Sequence, residues 1–206
     1  MTTLYLMRHS KSMKGDNTCD SDSLQVQNEK YILSVEGEKL AEEKSKYFDN
    51  IDSLYSSSYV RAICTAKYIA ERNNIEIKIN SDLGERKFGV KTWEERPNDF
   101  ERRQFLDENY KLGDGECQKE VRDRMYNCIM KIVNDNKDKT IVVVSHATAI
   151  SFLLKKWCDI KIVDDKLQYS YKDRVIHYGH FDNCELFKLE FDDNNNLINI
   201  DNIKEQ

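Results

Sequence analysis

The chain has 206 residues, a formal net charge of −5, and acidic and basic residues that are interspersed rather than grouped. Such a chain can bury a substantial core, and without a basic block it is unlike a general nucleic-acid or membrane-surface binder. A single proline and seven glycines leave no linker-like stretch, so we expect one domain over residues 1–206. Its apolar runs are too short to cross a bilayer and its amino terminus lacks a signal-peptide pattern, which predicts a cytoplasmic protein.

The first apolar segment predicts a strand that ends in basic and polar residues. It runs from about Leu4 to Arg8 and is followed by His9 and Ser10. Open α/β folds bind ligands at the carboxyl ends of their strands, so an Arg-His pair at this position favours chemistry on an anion, with phosphate as the first candidate. A polar loop is expected next, and then a helix from about Ser34 to Phe48 with Ser34 as its cap.

Two further segments bring charged residues to predicted strand ends. A strand over Ser53–Ser56 leads into a helix that carries Arg61 in its first turn and ends near Asn73. The alternating stretch Ile75–Ile79 predicts a half-buried edge strand, which delivers a turn-rich loop containing Glu85.

The continuous apolar run Ile141–Val144 predicts a buried central strand. It ends in Ser145-His146 and opens into a helix, whose free N–H groups favour bound anions. The remaining segments are predicted as two helices, an irregular stretch and a terminal hairpin: about Asp99–Asn109, about Cys117–Asn134, residues 161–180, and Cys184–Phe191 with Leu197–Ile203.

Strands that alternate with helices predict a three-layer α/β/α fold with a mostly parallel central sheet. Loops at the carboxyl edge of such a sheet converge. Residues that are far apart in the sequence can therefore meet in one pocket. The predicted members of that pocket are Arg8, His9, Arg61, Glu85 and His146.

These segments, in this order, resemble the histidine phosphatase superfamily, the phosphoglycerate-mutase-like proteins. The resemblance rests on the Arg-His strand end, the later Ser145-His146, the Ser-Ser-x-x-Arg-Ala-x-x-Thr-Ala pattern of residues 57–66 and the Glu-x-x-Phe-Gly pattern of residues 85–89. It extends to Gly115-Glu116-Cys117 with Arg124 downstream. The resemblance implies a phosphoglycerate mutase-like fold and a single catalytic domain over most of the chain.

The residue types suit transfer of a phosphoryl group through a phosphohistidine. Arg8 and Arg61 stay charged at any working pH and donate in pairs to phosphate, and His146 adds charge if it is protonated. His9 can then attack in line, while Glu85 protonates the departing alkoxide and later activates water. This scheme requires no metal and no cofactor, and its partner is a small phosphorylated substrate.

The sequence departs from the family pattern in its first loop. Ser10 stands where the family usually has glycine, and the loop asparagine of the family falls on Gly15, with Asn17 two residues later. A serine hydroxyl can donate a further bond to phosphate, but the residue restricts the backbone more than glycine does.

Substrate choice stays open at this stage. Arg86, Arg102 and Arg103 are possible substrate-binding residues, similar to mutase residues that hold a carboxylate or second phosphate, which suggests a substrate with a second anionic group. About 25 residues separate Gly89 from Gly115, so any lid is short, and this favours hydrolysis over phosphoglycerate-type mutase activity.

Two further alternatives come from other classes of protein. Ser10 gives some weight to a catalytically weak module that binds a phospho-ligand, although both histidines and both arginines are retained. A metallohydrolase using His177 and His180 rests on a lone His-x-x-His, which surface histidines explain better. The natural substrate and the oligomeric state cannot be predicted from the sequence.

Overall fold

The computed structural model describes residues 1–13 and 22–204. Six strands form the central sheet, two short strands pair beside it, and three more form a separate small sheet. The elements are β1 Thr2–Arg8, β2 Ser12–Met13, α1 Leu24–Lys30, β3 Ile32–Leu33, α2 Val35–Ser45, β4 Ser53–Ser56, α3 Val60–Asn73, β5 Ile77–Ile79, α4 Phe100–Leu106, α5 Gln118–Asp135, β6 Thr140–Ser145, α6 Ala147–Leu154, β7 Asp159–Val163, β8 Lys166–Tyr171, β9 Arg174–Tyr178, β10 Leu186–Phe191 and β11 Leu197–Asn202.

The central sheet has the order β11-β10-β1-β6-β4-β5. Strands β1, β6, β4 and β5 run parallel, while β10 and β11 form an antiparallel hairpin at one side. The apolar run of β6 explains why the sheet is covered on both faces: Ile141 and Val143 pack with α5 and α6, whereas Val142 and Val144 pack with α3. The predicted three-layer α/β/α fold with a mostly parallel sheet is confirmed.

Helices were predicted correctly where the sequence has a capping residue or an amphipathic face. The Ser34 side chain accepts a hydrogen bond from the Gly37 N–H at 3.0 Å and begins α2, as predicted. Helix α3 begins at Val60, which places Arg61 in its first turn, and ends at Asn73. The hairpin predicted near the carboxyl terminus is formed by β10 and β11.

Two predictions along the chain were wrong. Residues 161–180, predicted as irregular, belong to the antiparallel sheet β7-β8-β9. Its turns place Asp164, Asp165 and Lys172 at positive φ, where glycine is the usual residue. The glycine signal that would predict these tight hairpins is therefore missing from the turns. The polar loop predicted before Leu33 contains helix α1, whose cap is Ser23.

Gly15 and Asn17, the positions related to the family asparagine, lie outside the described residues. Within the described ranges, no helix is long and apolar enough to cross a membrane.

Candidate active site

The strand register brings the ends of three strands to one edge of the sheet. Arg8 at the end of β1 pairs with Ser145 at the end of β6, and Ser56 at the end of β4 pairs with Val144. The residues that follow each strand are therefore neighbours. The rings of His9 and His146 lie 5.0 Å apart between centroids, and both histidines are buried.

One guanidinium connects the two histidines. Arg61 Nε donates to His9 Nε2 at 3.0 Å, and Arg61 Nη2 donates to His146 Nδ1 at 3.1 Å. Its third nitrogen, Nη1, donates to the backbone carbonyl of Asn28. The buried Arg61 side chain is therefore fixed in orientation by three different partners.

The hydrogen bonds define the tautomer of each ring. His9 Nδ1 lies 2.6 Å from the Ser10 carbonyl, which can only accept, so Nδ1 carries the proton and Nε2 presents its lone pair to Arg61. In His146 the assignment is reversed, because Nδ1 accepts from Arg61 and Nε2 donates to Ser57 Oγ at 2.7 Å. The lone pair of His9 Nε2 therefore faces Arg61.

Electrostatics keep both rings neutral. Burial, together with the nearby charges of Arg61 and Arg8, holds the pKa of His9 well below its usual range. Burial and Arg61 do the same to the pKa of His146. In this structure His146 is therefore an uncharged hydrogen-bonding group.

Arg8 points from the end of β1 towards the loop before β10. Its Nη1 donates to the carbonyl of Phe181, and its buried Nε has no hydrogen-bond partner within the described residues. Burial lowers the pKa of Arg8, although the carboxylates of Glu85 and Asp182 act in the opposite direction. A buried donor without a partner is costly, so the site favours an acceptor beside Arg8.

Glu85 lies at the amino terminus of α6, where the sequence predicted a bound anion. Its Oε1 accepts from the N–H of Ala149 at 3.0 Å and of Arg86 at 2.9 Å, and its Oε2 accepts from the N–H of Thr148 at 3.3 Å. The protein's own carboxylate thereby takes the N–H groups of this helix end.

Arg124 fixes the loop that carries Glu85. Its guanidinium donates to the carbonyls of Asp82, Gly84 and Glu85 at 2.7–3.2 Å and forms two bonds with the Glu116 carboxylate at 2.6 and 2.9 Å. Burial alone would raise the pKa of Glu116, but the Arg124 bonds outweigh it and the pKa is lowered. Glu116 also accepts from the Lys87 N–H, so the pair holds both sides of the loop.

Ser10 is part of the framework around His9. Its Oγ donates to the Gly37 carbonyl at 2.7 Å, and its N–H donates to Thr65 Oγ1 at 3.0 Å. Ser10 does not have a positive φ, so a glycine is not required by the backbone at this position. The hydroxyl links the loop after β1 to α2 instead of facing the two histidines.

The three arginines predicted as possible substrate-binding residues lie in different environments. Arg86 is buried, donates to Gln104 Oε1 at 2.7 Å, and lies over the rings of Phe88 and Phe100 at 4.5 and 4.7 Å. Arg102 and Arg103 are exposed on α4, and Arg103 pairs with Asp99 at 2.7 Å. Of the three, only Arg86 faces the cavity beside the site.

That cavity has a volume of about 200 Å³ and lies between α4, α6 and the small sheet. It meets the site at two points: Thr148, whose N–H donates to Glu85, and Phe181, whose carbonyl accepts from Arg8. Segment 90–114 supplies one wall through Glu101 and Phe105. The two ends of that segment meet where Gly89, at φ +73°, packs so closely on Leu112 that a side chain would not fit.

The His-x-x-His pair does not form a metal centre. His177 is buried on β9, with Nδ1 3.0 Å from the Glu185 carboxylate and 3.0 Å from Asn202 Nδ2, whereas His180 is exposed. Over residues 1–13 and 22–204, no three histidine, cysteine or acidic side chains are grouped closely enough to hold a metal.

Several contributors to the site were missed at the sequence level. The Asn28 carbonyl comes from a helix that was not predicted, so nothing in the sequence indicated it. Ser57 and Tyr59 lie inside the pattern that includes Arg61, and the centroid of the Tyr59 ring lies 4.7 Å from that of His146, with the two rings tilted by 59°. Arg124 was noted only as part of the family pattern, without a role.

A family model described as the histidine phosphatase superfamily (branch 1) matches residues 4–203. The chain therefore belongs to the histidine phosphatase superfamily, as its motifs suggested. A search among curated proteins found no match.

Solved structures with the same fold include the following three proteins. A mycobacterial glucosyl-3-phosphoglycerate phosphatase complexed with VO3 has 17% identity and a TM-score of 0.71, over 97% of this chain and 96% of that one. YhfR of Bacillus stearothermophilus has 20% identity and a TM-score of 0.70, over 96% and 95%. A mutant phosphoserine phosphatase of Entamoeba histolytica in complex with phosphoserine has 20% identity and a TM-score of 0.67, over 98% and 97%.

Proposed function

We propose that the protein is a metal-independent phosphomonoesterase that works through a phosphohistidine on His9. The observation that carries the proposal is the lone pair of His9 Nε2, presented in a buried site by the Nδ1 bond to Ser10 and flanked by Arg61 and Arg8. A neutral imidazole nitrogen that carries a lone pair is a ready nucleophile once Arg61 turns from it to the phosphoryl group. Two guanidinium groups can neutralise the phosphoryl oxygens that would otherwise repel it.

The reaction proceeds in two displacements. His9 Nε2 forms a bond to phosphorus while the bond from phosphorus to the ester oxygen breaks, and Glu85 in its protonated form gives its proton to the departing alkoxide. Glu85 then accepts a proton from a water that attacks phosphorus, and the bond to His9 breaks to release inorganic phosphate. The N–H donors of Arg61 and His146 turn to the phosphoryl oxygens when the ester binds.

Hydrolysis is favoured over phosphoryl transfer to a second metabolite. Segment 90–114 is short and supplies only one wall of the cavity, which favours entry of water beside the leaving-group side of the site. The names of the similar structures, a glucosyl-3-phosphoglycerate phosphatase and a phosphoserine phosphatase, agree with hydrolysis of a small phosphate ester.

The test is hydrolysis of 4-nitrophenyl phosphate with and without a chelator, by the wild-type protein and by His9→Ala. We expect chelator-resistant hydrolysis that His9→Ala abolishes, and a phosphate label on the His9 peptide that is stable to alkali and labile to acid. Circular dichroism establishes that the variant is folded. Turnover that survives the loss of His9, or a label on another residue, would sink the proposal.

A further inference from the structure

We propose that the cavity between α4, α6 and the small sheet receives the alcohol part of the substrate, and that this alcohol is compact, uncharged and mostly apolar. The inference rests on the proposed function and adds the substrate class. The cavity reaches the site at Thr148 and Phe181, next to the acid Glu85 and the phosphate ligand Arg8. A leaving group protonated by Glu85 must lie on this side of the phosphorus.

The walls of the cavity are largely aromatic and aliphatic. Phe152, Tyr169 and Phe181 are buried, and Phe105 and Leu167 are half-buried. An apolar cavity of about 150 Å³ binds one benzene ring. The cavity of about 200 Å³ therefore has room for one ring or a short branched alkyl group.

Two polar side chains of the lining are paired with each other. Ser151 Oγ and the Tyr169 hydroxyl lie 2.7 Å apart in a hydrogen bond. Arg86 Nη1 donates to Gln104 and Nη2 lies 3.6 Å from the Glu101 carboxylate, whereas the buried Nε has no hydrogen-bond partner within the described residues and can take one neutral acceptor. A polyhydroxylated leaving group would find few free partners, so hydrogen bonds to the lining would not offset the free energy of its desolvation.

A second anionic group is disfavoured by Glu101. Its carboxylate lines the cavity and pairs with both Arg86 and Arg96, so the positive charge of Arg86 is already balanced by a carboxylate. A carboxylate on the leaving group would approach Glu101 and compete with it for Arg86. This distinguishes the chain from the similar phosphoserine and glucosyl-3-phosphoglycerate phosphatases, whose named substrates carry a carboxylate on the alcohol.

Three alkyl phosphates with comparably poor leaving groups test the inference: benzyl phosphate, 4-carboxybenzyl phosphate and glycerol 3-phosphate. Binding to His9→Ala is measured by calorimetry, and hydrolysis by the wild-type protein is measured as kcat/KM. Since a well-filled apolar pocket discriminates by about tenfold or more, we expect benzyl phosphate to bind and react at least that much better than the other two.

Variants locate the preference in this cavity. Phe105→Ala should lower kcat/KM for benzyl phosphate about tenfold. Leu106→Ala should not lower it, because the Leu106 side chain, next to Phe105 on α4, is 64% exposed and lies outside the cavity. Glu101→Gln should tighten the binding of 4-carboxybenzyl phosphate and leave that of benzyl phosphate within twofold.

Equal or tighter binding of 4-carboxybenzyl phosphate or glycerol 3-phosphate would overturn the inference, and so would equal effects of Phe105→Ala and Leu106→Ala. These outcomes leave the phosphohistidine mechanism standing if hydrolysis still depends on His9. Absence of hydrolysis removes the proposed function instead. The calorimetric preference of His9→Ala still decides whether the cavity selects an apolar group.

Discussion

Arg61 holds His9 and His146 through different nitrogens of one guanidinium, with Nε 3.0 Å from His9 Nε2 and Nη2 3.1 Å from His146 Nδ1. A lysine ammonium cannot make both contacts in this planar arrangement. We expect Arg61→Lys to keep the fold but to lower kcat/KM for 4-nitrophenyl phosphate by about a hundredfold, the loss typical of one preorganised donor. Arg72→Lys, on the last turn of the same helix in an exposed pair with Asp49, is the matched control. A loss of less than threefold in Arg61→Lys would contradict the assignment.

The Glu85 carboxyl is assigned as the acid and base of the reaction. Glu85→Gln keeps an oxygen that can accept the N–H bonds of Arg86 and Ala149 but cannot donate a proton to an alkoxide. We expect benzyl phosphate turnover to fall by about a hundredfold or more, and 4-nitrophenyl phosphate, whose leaving group needs little protonation, to lose much less. Steady-state kinetics on both substrates measure the difference. The exposed Glu42→Gln serves as a control, and equal losses on the two substrates would rule out the acid role.

Buried neutral histidines make stability depend on pH. The pKa values of His9 and His146 lie below the unfolded value of about 6.5, so below that pH the unfolded chain binds more protons than the folded one. The free energy of unfolding should therefore fall as pH decreases from 7.5 to 5.5, by up to about 1.4 kcal/mol per pH unit for each histidine. Urea unfolding measures it. The His9→Gln, His146→Gln double variant should show a flatter dependence, and an equally steep one would refute the explanation.

The ion pair between Arg124 and Glu116 is largely buried, with side chains 19% and 16% exposed. Arg124→Ala leaves Glu116 charged and partly desolvated and frees three carbonyls of the Glu85 loop. We expect the free energy of unfolding to fall by about 3 kcal/mol, as for other broken buried pairs. Arg103→Ala removes an exposed pair with Asp99 and should cost less than about 1 kcal/mol. Similar losses for the two variants in urea unfolding would contradict a structural role for Arg124.

A substitution at Ser10 tests whether this residue stabilises the fold or binds phosphate. Ser10→Ala removes one hydrogen bond to the Gly37 carbonyl, which lies inside α2 and keeps its helical bond, so the free energy of unfolding should fall by about 1 kcal/mol. Because the hydroxyl points to α2, KM for 4-nitrophenyl phosphate should change by less than twofold. A large rise in KM would show that Ser10 binds phosphate and would contradict the structural role.

The parts of the fold that could be predicted were those with a local physical signal. The all-apolar strand at 141–144, the Ser34 cap and the first-turn position of Arg61 each follow from residue type and spacing. The β7-β8-β9 sheet could not be predicted in this way, because its turns use aspartate and lysine at positive φ and only four of its sixteen strand residues are buried.

For the site, the sequence indicated which charged groups approach the sheet edge but not how they are paired. That Ser10 turns to Gly37 and that Arg86 is committed to Gln104 and Glu101 depend on distant segments. The same is true of the single guanidinium shared by two histidines. Such contacts are tertiary, so the local pattern of residues does not predict them.

The carboxylate of Glu85 at the amino end of α6 also bears on how the protein tolerates its own product. A group tethered to the chain has a high effective concentration at these N–H groups, which free phosphate must exceed to displace it. Released phosphate is thereby restricted to the side-chain donors around His9, because the N–H groups at the start of α6 are already bonded to Glu85. Product inhibition should therefore follow the occupancy of that one location.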